Sequence, residues 1–281
     1  MILVSGAAGK TGLAVLKALR AKGVGARAMV RSQAQEAAVL AAGASESVVG
    51  NMEIEADLSK ALRGVEAVYL IVPNVHPKEV EIGKATIAAA LTAGVERFVY
   101  HSVLFPQIER MPHHWRKLLV EETLIQSSLN FTILQPANYM QNVLAYWEAI
   151  QDNGVLSLPY SIEARSTPVD LKEVAEVVAK VLTEKGHSGA IYPLAGPELL
   201  SSREMAAQMG RALGRDVQAE RMELAVWEEA AKGLDAERRE TLKQMFAYYD
   251  ERDFVGNASV LRHLLGREPM RFAEFLERMA G

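Results

Sequence analysis

The fold of this chain can be predicted from one stretch, Ile2-Leu3-Val4-Ser5-Gly6-Ala7-Ala8-Gly9-Lys10-Thr11-Gly12. A short apolar run precedes the three glycines, and a helical pattern of apolar residues from Leu13 to Arg20 follows them. Glycines tolerate the backbone angles of a tight turn, and a helix N-terminus offers unshielded N–H groups and a favourable dipole to an anion. The stretch therefore predicts a strand, a turn that binds the pyrophosphate of a dinucleotide, and a helix. A strand-to-helix turn without a ligand is the alternative.

Composition narrows the class of protein. The 281 residues are 49% hydrophobic, which is enough for one large domain or two closely packed ones. The net charge of −4 comes from interspersed acidic and basic residues, so we expect no nucleic-acid surface. The absence of cysteine excludes disulfides and thiolate chemistry, and we predict no metal site. Neither a membrane span nor a secretory signal is evident, so we expect a cytoplasmic protein without a membrane partner.

Strand-like and helix-like segments alternate along the first half of the chain. This alternation is typical of an α/β fold with a doubly wound parallel sheet, the Rossmann fold. In such a sheet, ligands bind beyond the carboxyl ends of the strands, where we expect Ser5, Arg31, Pro73 and Ser102. The predicted strands are Ile2–Val4, Ala26–Val30, Ser47–Val49, Ala67–Val72, Arg97–Tyr100 and Asn130–Gln135, and the predicted helices between them include Glu36–Ala42 and Lys78–Ala93.

Arg31 is a candidate determinant of cofactor choice. It follows the second predicted strand, about 20 residues past the glycine turn, where the 2′ position of a dinucleotide is read. An acidic residue there would accept hydrogen bonds from a ribose diol, whereas an arginine offers a planar fork of donors to a phosphate. The sequence therefore favours NADP(H) over NAD(H), with a solvated surface arginine as the alternative.

The glycine spacing resembles the short-chain dehydrogenase/reductase superfamily in its extended or atypical form. Two segments, 4–12 and 119–142, are similar to the NmrA-like group of NAD(P)-binding proteins. In that family an Asp at the place of Asp57 contacts the adenine, although Asp57 could also cap the helix that ends at Leu62. The residues expected to contact the cofactor are Gly6, Ala8, Gly9, Lys10, Thr11, Gly12, Arg31, Asp57, Leu58, Val72, Pro73, Asn74, Ser102, Lys117, Pro136, Asn138 and Tyr139.

The resemblance also implies where catalytic residues lie. Reductases of this superfamily carry a serine and then a Tyr-x-x-x-Lys motif, in which the tyrosine donates a proton and the lysine binds the nicotinamide ribose. Ser102 and Lys117 match the serine and the lysine, but His113 stands where the tyrosine is expected. One helical turn separates positions 113 and 117, so both side chains can face the same side.

Two residues are therefore candidates for the proton donor. His113 follows Pro112, which is favoured at the first position of a helix, and the positive helix end favours a neutral imidazole that can still polarise a carbonyl. His113 could equally be a polar residue at a helix start. Tyr139 borders the substrate space by resemblance and is the second candidate donor, although it could also lie in an ordinary loop.

The second half of the chain has a different pattern. We predict a Rossmann domain over 1–150, with return segments near 166–195, and a smaller, mostly helical substrate-binding subdomain over 151–281. The return segments include a helix from Leu171 to Leu182 and a strand from Ala190 to Leu194. The aromatic group Phe246, Tyr248, Tyr249 and Phe254 is typical of a core, and a substrate lid is the alternative.

Two functions from different classes fit these features. The first is an NADP(H)-dependent oxidoreductase that reduces a small, mostly apolar carbonyl, quinone or conjugated substrate. The second is a non-catalytic regulator or redox sensor, which the NmrA-like resemblance and the missing tyrosine allow. A sugar-nucleotide epimerase is weaker, because it depends more on the tyrosine. The expected partner is a small molecule, and a homodimer remains open.

Overall fold

The computed structural model describes residues 1–280. Its strands are β1 (Ile2–Val4), β2 (Ala26–Val30), β3 (Glu46–Val49), β4 (Ala67–Leu70), β5 (Arg97–His101), β6 (Phe131–Pro136), β7 (Val155–Leu158), β8 (Arg165–Ser166), β9 (Ala190–Leu194), β10 (Leu200–Ser201) and β11 (Gln218–Arg221). Its helices are α1 (Lys10–Ala21), α2 (Glu36–Ala42), α3 (Glu55–Leu62), α4 (Glu79–Thr92), α5 (Pro112–Ile125), α6 (Trp147–Asn153), α7 (Leu171–Thr183), α8 (Ser202–Leu213), α9 (Leu224–Ala230), α10 (Ala236–Glu251), α11 (Ser259–Leu265) and α12 (Phe272–Ala280).

The main sheet has the strand order β3-β2-β1-β4-β5-β6-β9 within the described residues. β1 pairs in parallel with both β2 and β4, and the parallel pairing continues from β4 through β5 to β6. The chain therefore winds outward from β1 in one direction and then in the other. This is the doubly wound Rossmann topology, and the predicted fold class is confirmed.

The central strands are buried on both faces, as their unbroken apolar sequences predict. All residues of β1 and β4 are buried. The predicted fourth strand is two residues too long, because pairing stops at Leu70 although Ile71 and Val72 remain buried. The Ile71 N–H donates instead to Ser5 Oγ (2.8 Å), and the Ser5 hydroxyl donates to Ile71 O (3.0 Å). The Ser5 side chain thus makes the hydrogen bonds of the Ile71 backbone, just beyond the last paired residue of β4.

The predicted role of Asp57 as a helix cap is wrong. Helix α3 begins at Glu55 with Ile54 as its N-cap, so Asp57 lies inside the first turn. Its Oδ2 accepts a hydrogen bond from the backbone N–H of Asn51 at 2.8 Å. The carboxylate therefore fixes the loop between β3 and α3, and its negative charge suits the positive end of the helix.

The chain forms two compact units, which are described separately. The first comprises Met1–Gln107, His113–Gln135 and Val174–Tyr192, and the second comprises Ile108–Pro112, Pro136–Glu173 and the residues from Pro193 onward. The predicted domains divided the chain at residue 150, whereas the second unit already includes the segment from Pro136. In that segment Met140, Val143 and Ile150 pack in one core with Leu156 and other buried residues of the second unit.

Aromatic side chains of the second unit pack against one another. The ring of Tyr160 lies 5.8 Å from Phe246 and 5.4 Å from Tyr249, and Tyr249 lies 5.9 Å from Phe254. Phe246 and Phe254 are both buried. The core interpretation of this aromatic group agrees with these contacts.

A buried ion pair of the second unit joins the residue that precedes α7 to α12. Asp170 is fully buried, and both of its carboxylate oxygens accept hydrogen bonds from the Arg278 guanidinium at 2.8 and 2.9 Å. Burial raises the pKa of the Asp170 carboxyl, but the hydrogen bonds from Arg278 and Gln141 outweigh it, so the pKa lies below its usual value. The carboxylate also accepts a longer bond from the Lys172 N–H at 3.3 Å, consistent with its predicted place before α7.

Candidate functional site

The candidate site begins at the carboxyl edge of the sheet in the first unit. β1, β2, β4 and β5 end at residues 4, 30, 70 and 101 and lie side by side in parallel. Ser5, Arg31, Pro73 and Ser102 therefore follow strand ends on one edge, as the sequence predicts. Ligands of open parallel sheets bind at this edge, next to the point where the strand order reverses.

Two glycines of the turn are required by the fold itself. Gly6 has a φ of +54°, and a Cβ there would lie 2.9 Å from Ile71 O. A Cβ on Gly12 would lie 2.5 Å from both the Cα and the O of Ala7. Only glycine avoids these contacts, so both positions hold the turn tightly between β1 and α1.

Gly9 is different, because the surrounding protein does not require a glycine at this position. Gly9 is exposed, its φ is −78°, and an added Cβ would meet only Gly6 O, at 3.3 Å. It is the N-cap of α1, where no side chain caps the helix and no acidic residue lies in the first turn. A helix N-terminus that has a glycine as its N-cap and no side-chain cap suits a dinucleotide pyrophosphate. The residues present therefore fit the cofactor that the sequence predicts.

Arg31 belongs to a group of charges from three loops. Its Nη2 lies 3.9 Å from Glu53 Oε1, and the side chain is 59% exposed. Glu53 also accepts a hydrogen bond from Lys78 Nζ at 2.6 Å and lies 3.8 Å from His76 Nε2. The hydrogen bond from Lys78 is the main reason why the pKa of Glu53 lies below its usual value. Sequence reasoning missed Glu53, His76 and Lys78, because they lie far from Arg31 in the chain.

The other predicted cofactor contacts of the first unit differ in accessibility. Val72 and Leu58 are buried, and both side chains pack in the same hydrophobic core. Asn74 is exposed and Pro73 is partly exposed. The next residue, Val75, has a φ of +54°, a conformation that β-branched residues rarely adopt. Backbone strain of this kind clusters at ligand sites.

Lys117 lies in a buried polar cluster. Its ammonium donates to Glu79 Oε1 at 2.9 Å and to His101 O at 3.1 Å. The Tyr100 hydroxyl donates to the same Glu79 oxygen at 2.7 Å. The side chains of Lys117 and Glu79 are 11% and 3% exposed, so the two charges neutralise each other away from water.

Ser102 is held by a second buried carboxylate. Its hydroxyl donates to Glu121 Oε1 in a short hydrogen bond, and Gln135 Nε2 donates to both oxygens of Glu121 at 3.0 Å. Burial raises the pKa of Glu121. Because a serine hydroxyl carries one proton, Ser102 in this arrangement directs its hydrogen bond into the protein.

His113 lies in the first turn of α5 with an unusually basic neighbourhood. Burial, together with His114 and Lys117, lowers the pKa of His113 to about 2. Its imidazole is therefore neutral at physiological pH, in agreement with the sequence argument. The rings of His113 and His114 lie 4.5 Å apart, edge to face. Within residues 1–280, His113 Nδ1 is buried and has no hydrogen-bond partner.

Tyr69 and His101 form another buried pair that the sequence did not reveal. Tyr69 Oη and His101 Nδ1 lie 2.5 Å apart. Burial and the nearby Lys117 ammonium lower the pKa of His101 to about 3, so this imidazole is also neutral. The pair crosses from β4 to β5 and links β4 to the last residue of β5, directly before Ser102.

Three of the predicted residues, Pro136, Asn138 and Tyr139, belong to the second unit. Tyr139 pairs with Val169 in an isolated parallel bridge, and Asn138 Nδ2 donates to Ser166 Oγ at 3.1 Å. The Asn138 Oδ1 atom is buried without a partner in the described part of the chain. Tyr139 is partly exposed, and Pro136 ends β6.

Residues 1–280 include neither a metal-binding cluster nor a membrane-spanning helix. No group of three or more histidine, aspartate or glutamate side chains in this range is placed to hold a metal ion. Over the same residues, no helix is both long enough and apolar enough to cross a membrane.

Known proteins are similar to this chain over its whole length. An NAD(P)H azoreductase of Xenophilus azovorans is 30% identical, covering 100% of this chain and 98% of that protein. A (4-alkanoyl-5-oxo-2,5-dihydrofuran-3-yl)methyl phosphate reductase of Streptomyces griseus is 33% identical, covering 98% and 96%. The crystal structure of the NADPH-dependent quinone oxidoreductase QOR2 of Escherichia coli, complexed with NADPH, is 26% identical, covers 100% of both chains and has a TM-score of 0.85.

The family assignment follows from a match that spans almost the entire sequence. The profile of the NmrA-like family covers residues 1–276, which include the glycine turn, the polar cluster around Lys117 and most of α12. Together with the full-length relatives, this match agrees with the resemblance that the glycine turn and the segment 119–142 suggest. The chain belongs to the NmrA-like family.

Proposed function

We propose that this oxidoreductase prefers NADPH as its hydride source and reduces a small conjugated acceptor, such as a quinone, an azo compound or an enone. The observation that carries the proposal is the N-terminus of α1, which has Gly9 as its N-cap and no side-chain cap, together with Arg31 directly after the neighbouring strand β2. The names of relatives support the acceptor class, since they include an azoreductase, a dihydrofuranone reductase and a quinone oxidoreductase.

The chain's own residues would hold the cofactor at several points. The first-turn N–H groups of α1 bind the pyrophosphate, and Arg31 binds the 2′-phosphate. Lys117 binds the nicotinamide ribose, because its ammonium has three donors and two of them go to Glu79 and His101. When NADPH is bound, it supplies the hydride.

The fate of the proton is the second part of the proposal. His113 acts as a neutral hydrogen-bond donor toward the acceptor oxygen or nitrogen, because its low pKa prevents it from carrying a transferable second proton at neutral pH. A neutral imidazole in this role polarises the acceptor, and solvent then completes protonation. Tyr139 is the alternative donor. Ser102 contributes indirectly, since its hydroxyl is directed to Glu121.

The test is NADPH oxidation against a panel of quinones, azo dyes and enones. We expect His113→Ala to lower kcat by about 10²–10³, the usual cost of a lost donor at a developing anion, while NADPH affinity stays within about twofold. His113→Asn retains an N–H donor and should recover part of the rate. His263→Ala removes an exposed histidine on α11 and serves as the control.

Other outcomes would overturn parts of the proposal. If Tyr139→Phe lowers kcat and His113→Ala does not, then the tyrosine is the donor. Tight NADPH binding without oxidation across the panel would instead favour the regulator or redox sensor. The homodimer and the cytoplasmic location remain predictions from the sequence.

A further inference from the structure

Glu53 joins the loops that follow three different strands. It lies between β3 and α3, and its carboxylate contacts Lys78 beyond β4 at 2.6 Å and Arg31 beyond β2 at 3.9 Å. His76 Nε2 lies 3.8 Å from the same carboxylate. An acidic side chain therefore lies within ion-pair distance of the arginine that would read the 2′ position of a dinucleotide.

This juxtaposition combines two arrangements that usually exclude each other. In dinucleotide-binding folds an acidic residue accepts hydrogen bonds from the ribose 2′-hydroxyl of NAD, whereas a nearby arginine accommodates the 2′-phosphate of NADP. Here the arginine follows β2, whereas the acidic residue lies in the loop between β3 and α3. The Glu53 side chain is 26% exposed, so it is held near Arg31 but remains accessible to a ligand.

We propose that Glu53 sets the cofactor selectivity of this enzyme. Its carboxylate accepts a hydrogen bond from the ribose 2′-hydroxyl of NADH and repels the 2′-phosphate of NADPH, which Arg31 attracts. The protein then uses both nucleotides, with a smaller preference for NADPH than Arg31 alone would give. This inference rests on the dinucleotide binding proposed above.

The charges in the cluster show why Glu53 can have both effects. Arg31 and Lys78 have side chains that are 59% and 60% exposed, so either can turn from Glu53 toward a phosphate. Glu53 competes with the phosphate for these cations. In a water-like medium, one unit charge about 5 Å from another changes affinity by about fourfold. A phosphate carries between one and two charges, which makes the expected effect about four- to sixteenfold.

The substitution Glu53→Gln removes the charge and keeps the shape of the side chain. We expect NADPH to bind about four- to sixteenfold more tightly and NADH to bind more weakly, so the NADH dissociation constant divided by the NADPH dissociation constant should rise by about tenfold or more. The matched control is Glu55→Gln, which removes the same charge from an exposed residue two positions away. Fluorescence titration of both nucleotides gives the four constants.

The outcomes separate this inference from the proposed function. A rise in the ratio with Glu53→Gln but not with Glu55→Gln supports the role of Glu53. An unchanged ratio, or an equal shift in both variants, overturns it while leaving NADPH binding intact. If the unsubstituted protein binds neither nucleotide, the proposed function itself fails. Arg31→Ala should lower the ratio in both the native and the Glu53→Gln background, and an Arg31-independent ratio would also overturn the inference.

Discussion

Replacing Lys117 with methionine should destabilise the protein much more than removing a surface lysine. The change leaves the Glu79 carboxylate with the Tyr100 hydroxyl as its remaining partner in this cluster, although the Glu79 side chain is only 3% exposed. Breaking one side of a buried ion pair costs about 3–5 kcal/mol. That is a large part of a typical folding free energy of about 5–15 kcal/mol. Lys117 therefore has a structural role beside its proposed contact with the ribose.

A double variant separates the two roles. In Lys117→Met/Glu79→Gln the buried charge is gone, while the amide oxygen can still accept from Tyr100. We expect this double variant to lose about 1–2 kcal/mol relative to the unsubstituted protein, in line with a buried but hydrogen-bonded amide. NADPH affinity should be lower in both variants than in the unsubstituted protein, because the methionine at position 117 cannot donate to the ribose.

The assay is urea unfolding followed by tryptophan fluorescence, combined with NADPH titration under folded conditions. Lys84→Met removes an exposed lysine on α4 and should change the unfolding free energy by no more than about 0.5 kcal/mol. The reasoning would be refuted by a loss below about 1 kcal/mol for Lys117→Met. It would also fail if the double variant were no more stable than the single one.

Two further predictions concern the glycine turn and the buried pair of the second unit. Gly9→Val should keep the unfolding free energy within about 1 kcal/mol yet abolish NADPH binding in a fluorescence titration, whereas Gly12→Ala should destabilise the turn by at least about 1–3 kcal/mol because its Cβ would lie 2.5 Å from backbone atoms. Equal NADPH affinity of Gly9→Val and the native protein would place the nucleotide elsewhere. Arg278→Ala should cost about 3–5 kcal/mol at pH 7, measured by urea unfolding. The folded-state pKa of Asp170 is depressed, so this contribution is present above the unfolded value of about 3.9 and lost as pH falls through the folded value; a loss that does not shrink in acid would contradict the assignment.

The fold was largely predictable because its signals are local. The strand Ala26–Val30 and the helix Glu36–Ala42 have the predicted bounds, since apolar period and glycine stops act over a few residues. The error at Asp57 arose from the same local reasoning. An acidic residue is favourable both as a cap and in the first helical turn, and the sequence alone did not distinguish these two positions.

The environment of the site was less predictable, because burial and partners depend on the tertiary structure. Lys117 and Ser102 were chosen as candidates from motif spacing, but Glu79 lies 38 positions from Lys117 and carries no motif. Glu121 offered one usable signal, since it lies one helical turn after Lys117 and shares its face. The strongly lowered pKa of His113 could not be predicted from its place after Pro112, because it depends on what packs around α5.

The link between Ser5 and Ile71 has a consequence for how the protein is made. β1 is an inner strand of its sheet, between β2 and β4, and its pairing with β4 places Ile2 opposite Ala67. During synthesis one edge of β1 therefore stays unpaired, next to the glycine turn, until β4 and Ile71 have left the ribosome. Contacts between distant segments of this kind slow folding and expose strand edges meanwhile. The nascent chain thus becomes able to hold a nucleotide only after it has been synthesised well beyond the residues that would touch the pyrophosphate.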